Sequence, residues 1–149
     1  MKLISPLALL SITLASLSIC IDRLWARSNN FDACVNTSRF ANVNTINPSS
    51  TDGQKIYPFV EKVFNPVSDA FWTLSNGKYI PCLMIIDDRN PRAFVFSYVD
   101  NKKYAPVFVS TGLLQQILYQ DGDVAKPRGD KDVQKIIAGI LSHEHAHLL

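Results

Sequence analysis

From residue 130 to the end of the chain, apolar positions recur three and four apart: Val133, Ile136, Ile137, Ile140 and Leu141. That spacing predicts an amphipathic helix, because residues three and four apart share a face at 3.6 residues per turn. Asp130 is placed to act as its N-cap, with Asp132 in the first turn, where both carboxylates suit the positive end of the helix dipole. Gly139 costs about 1 kcal/mol relative to alanine in a helix interior, and a close approach by a neighbouring element is one reason to keep it there. Extending the period places Ile136, Ile140, His143 and His147 in one row. The two histidines are therefore expected to close a buried apolar stripe.

Upstream, the texture alternates between helical and extended patterns. Ile56, Phe59, Val60 and Val63 keep helical spacing, as do Val67, Ala70, Phe71 and Leu74, and Pro66 between them predicts two short helices. Residues 82–86 are a continuous apolar run, 93–99 are aromatic and β-branched, and 106–109 form a third run. These are expected strands. Turn-forming residues at 88–91 and 100–103 separate them, which favours antiparallel neighbours for at least one pair. Ser110 or Thr111 can cap a following helix through Leu113, Leu114, Ile117 and Leu118, and 120–129 reads as an exposed loop. No internal repeat and no phosphate-cradling glycine loop is visible. The fold class expected is α+β, with a small, mostly antiparallel sheet packed on helices.

Composition narrows the function classes. The chain of 149 residues is 47% hydrophobic and 19% charged with a net charge of +2, so its charge gives no reason to expect nucleic acid as a partner. Lys2 followed by the uncharged stretch 3–21 reads as an export signal, with small residues at Ser16 and Ser18 that place cleavage after residue 18. The alternative is retention as a membrane anchor through 3–21. Leu17-Ser18-Ile19-Cys20 approaches a lipoprotein box, but Ile19 stands where a small residue is expected. Residues 19–52, polar and rich in Asn, Ser and Thr, read as a loosely ordered linker. In an exported protein, periplasmic or secreted, Cys34 and Cys82 are an obvious disulfide pair; two separate buried thiols are the other reading.

The chemistry concentrates in His143-Glu144-His145-Ala146-His147. On a helix, His143 and His147 lie one turn apart and present two imidazoles to one Zn²⁺, with Glu144 beside the first ligand as the expected catalytic acceptor of a proton from water. His145 falls on the far side, as a surface or outer-shell histidine. On a strand the three histidines would instead share a face and make a metal-binding triad. A catalytic zinc takes three protein ligands and leaves one position open, and two residues follow His147. The expectation is an incomplete domain, residues 53–149, whose third ligand lies beyond Leu149 and whose short form is by itself inactive.

The order of these elements, with Pro91-Arg92-Ala93-Phe94, Thr111-Gly112-Leu113-Leu114 and then the His-Glu-x-x-His run, resembles the HtpX-like zinc metallopeptidases, family forty-eight of the metallopeptidases. The resemblance covers roughly residues 80 to 149. It implies a zincin-like (gluzincin) fold, zinc as cofactor on His143 and His147, Glu144 as the catalytic glutamate, and polypeptides as substrates cleaved by metalloendopeptidase chemistry. It also implies a third ligand, a glutamate on a later helix; the chain's two glutamates are Glu61 and Glu144, and neither matches it. An extended substrate would add to the strand near Ala93 to Tyr98. Arg92 stands where the family usually shows Asn, and the loop from Tyr119 to Lys131 is longer than usual. The competing expectations are an inactive exported remnant or a histidine-rich metal-binding module.

Overall fold

The computed structural model describes residues 30–35, 43–95 and 104–149. The expected signal or anchor, the Leu17–Cys20 box, the linker outside 30–35 and 43–52, the strand residues 96–99 and the turn at 100–103 lie outside the described residues. In chain order the elements are α1 (Asn30–Val35), α2 (Thr51–Leu74), β1 (Ile80–Ile86), β2 (Ala93–Val95), β3 (Tyr104–Ser110), α3 (Thr111–Leu118), a 3₁₀ turn (Gln120–Gly122) and α4 (Asp130–Ala146). The class is α+β, as expected. Among the described residues, no helix is long and apolar enough to cross a membrane.

The sheet order is β1-β3-β2, with β1 parallel to β3 along seven residue pairs from Ile80↔Tyr104 to Ile86↔Ser110. β2 runs antiparallel to β3 through Ala93↔Val109, Phe94↔Phe108 and Val95↔Val107. The expected mostly antiparallel sheet is therefore corrected to a mixed one. β1 and β3 are apolar on both faces, and a strand with that pattern belongs in a layer covered on both sides. On one face Leu83, Ile85, Val107 and Val109 join residues of α2, α3 and α4 in the main core. On the other, Met84, Ile86 and Phe108 pack with Cys34 of α1.

The crossover between β1 and β2 is fixed at the start of α3. Ser110, the N-cap of α3, accepts from the Leu113 N–H (3.1 Å) and from the Arg92 N–H (2.9 Å), and donates to the Asn90 carbonyl (2.7 Å). Thr111 Oγ1 bonds both the N–H and the carbonyl of Asp88, and the Gly112 N–H donates to the same carbonyl (2.9 Å). A Cβ at Gly112 would lie 2.0 Å from the Arg89 carbonyl oxygen. The 87–92 loop is thus held across the end of β3, which delivers β2 to the far side of β3 rather than beside β1.

Three other expectations change. α2 is one continuous helix with Pro58 and Pro66 inside it, not two. An interior proline costs about 3 kcal/mol, but Tyr57, Val60, Val63, Phe64 and Phe71 are buried on both sides of Pro66, each contributing roughly 1.5–3 kcal/mol. Packing therefore outweighs the missing bond. The described part of the expected loose linker is ordered against β1: Thr45 bridges Ile86, the Ile46 N–H donates to Ile85 (2.8 Å), and the Tyr57 hydroxyl donates to the Ile46 carbonyl (3.1 Å). Finally, α4 is capped by Gly129 without a side-chain bond; Asp130 and Asp132 both stand in its first turn.

Candidate metal-binding helix

α4 carries the site, and its buried row is Val133, Ile137, Leu141 and His145, continued past the helix end by Leu148, with Glu144 beside it. The row expected to be buried is not. Ile136 and the two expected ligands are exposed, and Ile140 is half-buried. The reason lies in the partner surface. α4 packs against α2, β2, β3 and α3, and α2 offers Phe64 and Phe71 to His145, whereas the Ile136 side has no described element over it. Among the described residues nothing lies within 4 Å of a Cβ built on Gly139, so no close approach by them explains that glycine.

His143 sits in the last turn of α4 and His147 is its C-cap, still in helical conformation. Their rings stand perpendicular, centroids 4.8 Å apart, with the two Nε2 atoms 3.2 Å from each other. Two nitrogens bound to one tetrahedral ion at about 2.0–2.1 Å must lie roughly 3.3 Å apart. The spacing of the two donors therefore suits a shared zinc, and it is equally that of a hydrogen bond between the two rings. Among the described residues, no cluster of three or more His, Cys, Asp or Glu side chains surrounds the pair.

Glu144 is buried at 9% exposure, on the shoulder of the helix between the exposed pair and the core row. His145 is not at the surface as expected: it is 2% exposed. Its Nδ1 lies 2.6 Å from the Leu141 carbonyl, which can only accept, so that nitrogen carries the proton. Nε2 lies 3.1 Å from the Ser68 hydroxyl of α2. The ring sits between Phe64 and Phe71, at 5.5 and 5.3 Å between centroids. Burial pushes the His145 pKa below its ordinary value, opposed by the Leu141 bond, so the neutral ring accepts from Ser68. The helical setting also separates His145 from the other two histidines, which removes the strand-borne triad.

The structure brings together His143, His147 and Glu144 on one turn, and bonds Cys34 to Cys82 across α1 and β1, with Cα atoms 6.6 Å apart. The metal motif and the disulfide are separate features. The sequence patterns mark Phe71 as an apolar helix position and single out neither Ser68 nor Phe64; the available signal is a serine set among aromatic residues on one face of α2. β2 has β3 on one side, and among the described residues no strand on the other. No family model and no curated protein matches this sequence.

Proposed function

We propose that this chain carries the metal-binding helix of a zinc-dependent metalloendopeptidase acting on polypeptides outside the cytoplasm. The observation that carries the reading is the convergence of the His143 and His147 Nε2 atoms at 3.2 Å on an exposed helical turn. His143 and His147 would hold the ion, which when bound would act as a Lewis acid on a peptide carbonyl and make water more acidic. Glu144, one residue from the first ligand, would accept the proton from the attacking water and return it to the leaving amine. The edge of β2 that no described strand pairs, on an element that α4 packs against, suits an extended peptide adding by backbone hydrogen bonds. The zincin-like architecture and the third ligand, a glutamate from outside these 149 residues, belong to the same proposal.

A second reading is favoured by the exposure of both histidines: a two-histidine chelate that takes up a metal without turning over substrate. Elemental zinc analysis combined with casein hydrolysis separates the two. In a product that also supplies the third ligand, the peptidase reading expects zinc that depends on His143 and His147, and turnover abolished by Glu144→Gln while zinc is retained; residues 1–149 by themselves are expected to show little of either. Zinc without Glu144-dependent turnover would leave the chelate, and zinc indifferent to both histidines would end both readings.

A further inference from the structure

We infer that His145, held by Ser68, is a positioning residue for the metal pair: it fixes the last turn of α4 so that the His143 and His147 nitrogens converge. This rests on the metal reading above. The two candidate ligands contact each other but are both exposed, and His147 is already the C-cap, where helices fray. The backbone bonds beyond it are short-range: the His147 N–H to Glu144 at 3.2 Å, the Leu148 N–H to His145 at 3.0 Å.

What holds this turn is on the opposite side of the helix. His145 lies midway between the ligands in sequence and is buried between Phe64 and Phe71, with its Nε2 on Ser68 of α2. Leu148 completes the anchor by packing with Phe71 and Ala105. Aromatic contact alone would let the ring slide along the groove. The bond to Ser68 sets the position of α4 along α2 and its rotation, and the rotation decides where residues 143 and 147 point. A pair that is ordered before the metal arrives loses less conformational freedom on binding it.

The test uses Co²⁺ as probe, followed by its visible absorption in the full chain, with amide hydrogen exchange on the metal-free protein. Ser68→Ala removes the bond and leaves the ring in place; His145→Phe keeps the aromatic packing and removes both polar bonds. Each is expected to weaken Co²⁺ binding roughly tenfold, the lower end for groups that orient ligating histidines, and to speed exchange at His147 and Leu148. Ser68→Thr, which keeps a hydroxyl, should restore binding. Val133→Ala, buried in the first turn of α4, controls for mere destabilisation and should lower the melting temperature without changing Co²⁺ affinity. Binding unchanged in Ser68→Ala and His145→Phe, or weakened as much by Val133→Ala at equal loss of stability, overturns the positioning role alone. A parent chain with no Co²⁺ signal dependent on His143 and His147 overturns the metal reading and this inference with it.

Discussion

The Nε2 atoms of His143 and His147 lie 3.2 Å apart at the exposed end of α4. Neither ring contributes to the core, so the pair should be separable from the stability of the fold. Replacing either histidine with alanine is expected to change the unfolding free energy of the metal-free protein by less than about 0.5 kcal/mol, as for other surface positions. Saturating zinc should behave differently. At a hundredfold excess over the dissociation constant, a ligand specific to the folded state adds about 2.7 kcal/mol. Thermal denaturation with zinc and with a chelator should therefore show a rise in the parent chain and none in the His143→Ala, His147→Ala double variant. An equal rise in both would place the ion elsewhere.

Two glycines should respond in opposite directions to the same substitution. At Gly112 a methyl group would sit 2.0 Å from the Arg89 carbonyl oxygen and 2.4 Å from its carbon. The 87–92 loop would have to leave the end of β3, breaking the bonds from Ser110, Thr111 and Gly112. Gly112→Ala is expected to destabilise by more than about 2 kcal/mol, the range of backbone strain and lost buried hydrogen bonds. Gly139→Ala meets open space inside a helix, and should stabilise by about 0.5–1 kcal/mol. Urea unfolding of the two variants checks both signs. A Gly139→Ala variant less stable than the parent would mean that something covers that face of α4.

These substitutions also separate what is local in the sequence from what tertiary packing decides. The histidine pair was legible because its geometry is local: four residues of helix bring 143 and 147 together whatever else the chain does. The burial of α4 was not local. Ile136 and Ile140 form one apolar row, Ile137 and Leu141 the next, about 100° round the helix, and periodicity alone favours neither. The choice falls to α2, whose Phe64, Ser68 and Phe71 accept His145. Likewise the apolar runs of β1 and β3 announced strands, but their parallel pairing depends on Ser110 and Thr111 clamping a loop some twenty residues earlier, which no windowed pattern contains. Pro66 misled for the same reason: its cost is local and the compensating burial of α2 is tertiary.

The bond between Cys34 and Cys82 joins α1 to the strand that carries the core and closes a separation of 48 residues. In the chain-entropy description, a loop of that length stabilises by about 4 kcal/mol through the unfolded state. The Cys34→Ser, Cys82→Ser double variant should lose an amount of that order or less in chemical denaturation. With α4 packed on α2, β2, β3 and α3 rather than on α1, its metal uptake should persist. A thiol count on the denatured, unreduced protein should find Cys34 and Cys82 blocked, with Cys20 the one free thiol wherever residue 20 is retained. Free thiols at both Cys34 and Cys82 would remove the cross-link and the stability increment together.

Tyr57 supplies the pH dependence. Its hydroxyl accepts from the Ile85 N–H and donates to the Ile46 carbonyl, both at 3.1 Å, so it ties α2 to β1 and to the segment alongside. Burial pushes its pKa up to about 12, partly offset by the Ile85 bond, with the Glu61 charge raising it further. In the unfolded chain a tyrosine ionises near its ordinary value of about 10. Between those values the folded state holds a proton that the unfolded state releases, so stability falls as pH rises through that window and is fully present below it. Two units correspond to roughly 2–3 kcal/mol. The unfolding free energy of the parent should therefore drop by an amount of that order between pH 9 and pH 12. Tyr57→Phe should start lower, having lost both hydrogen bonds at roughly 1 kcal/mol each, and should show a shallower alkaline slope, because the group that titrates differently in the two states is gone. Parallel slopes for parent and variant would assign the alkaline loss to other groups.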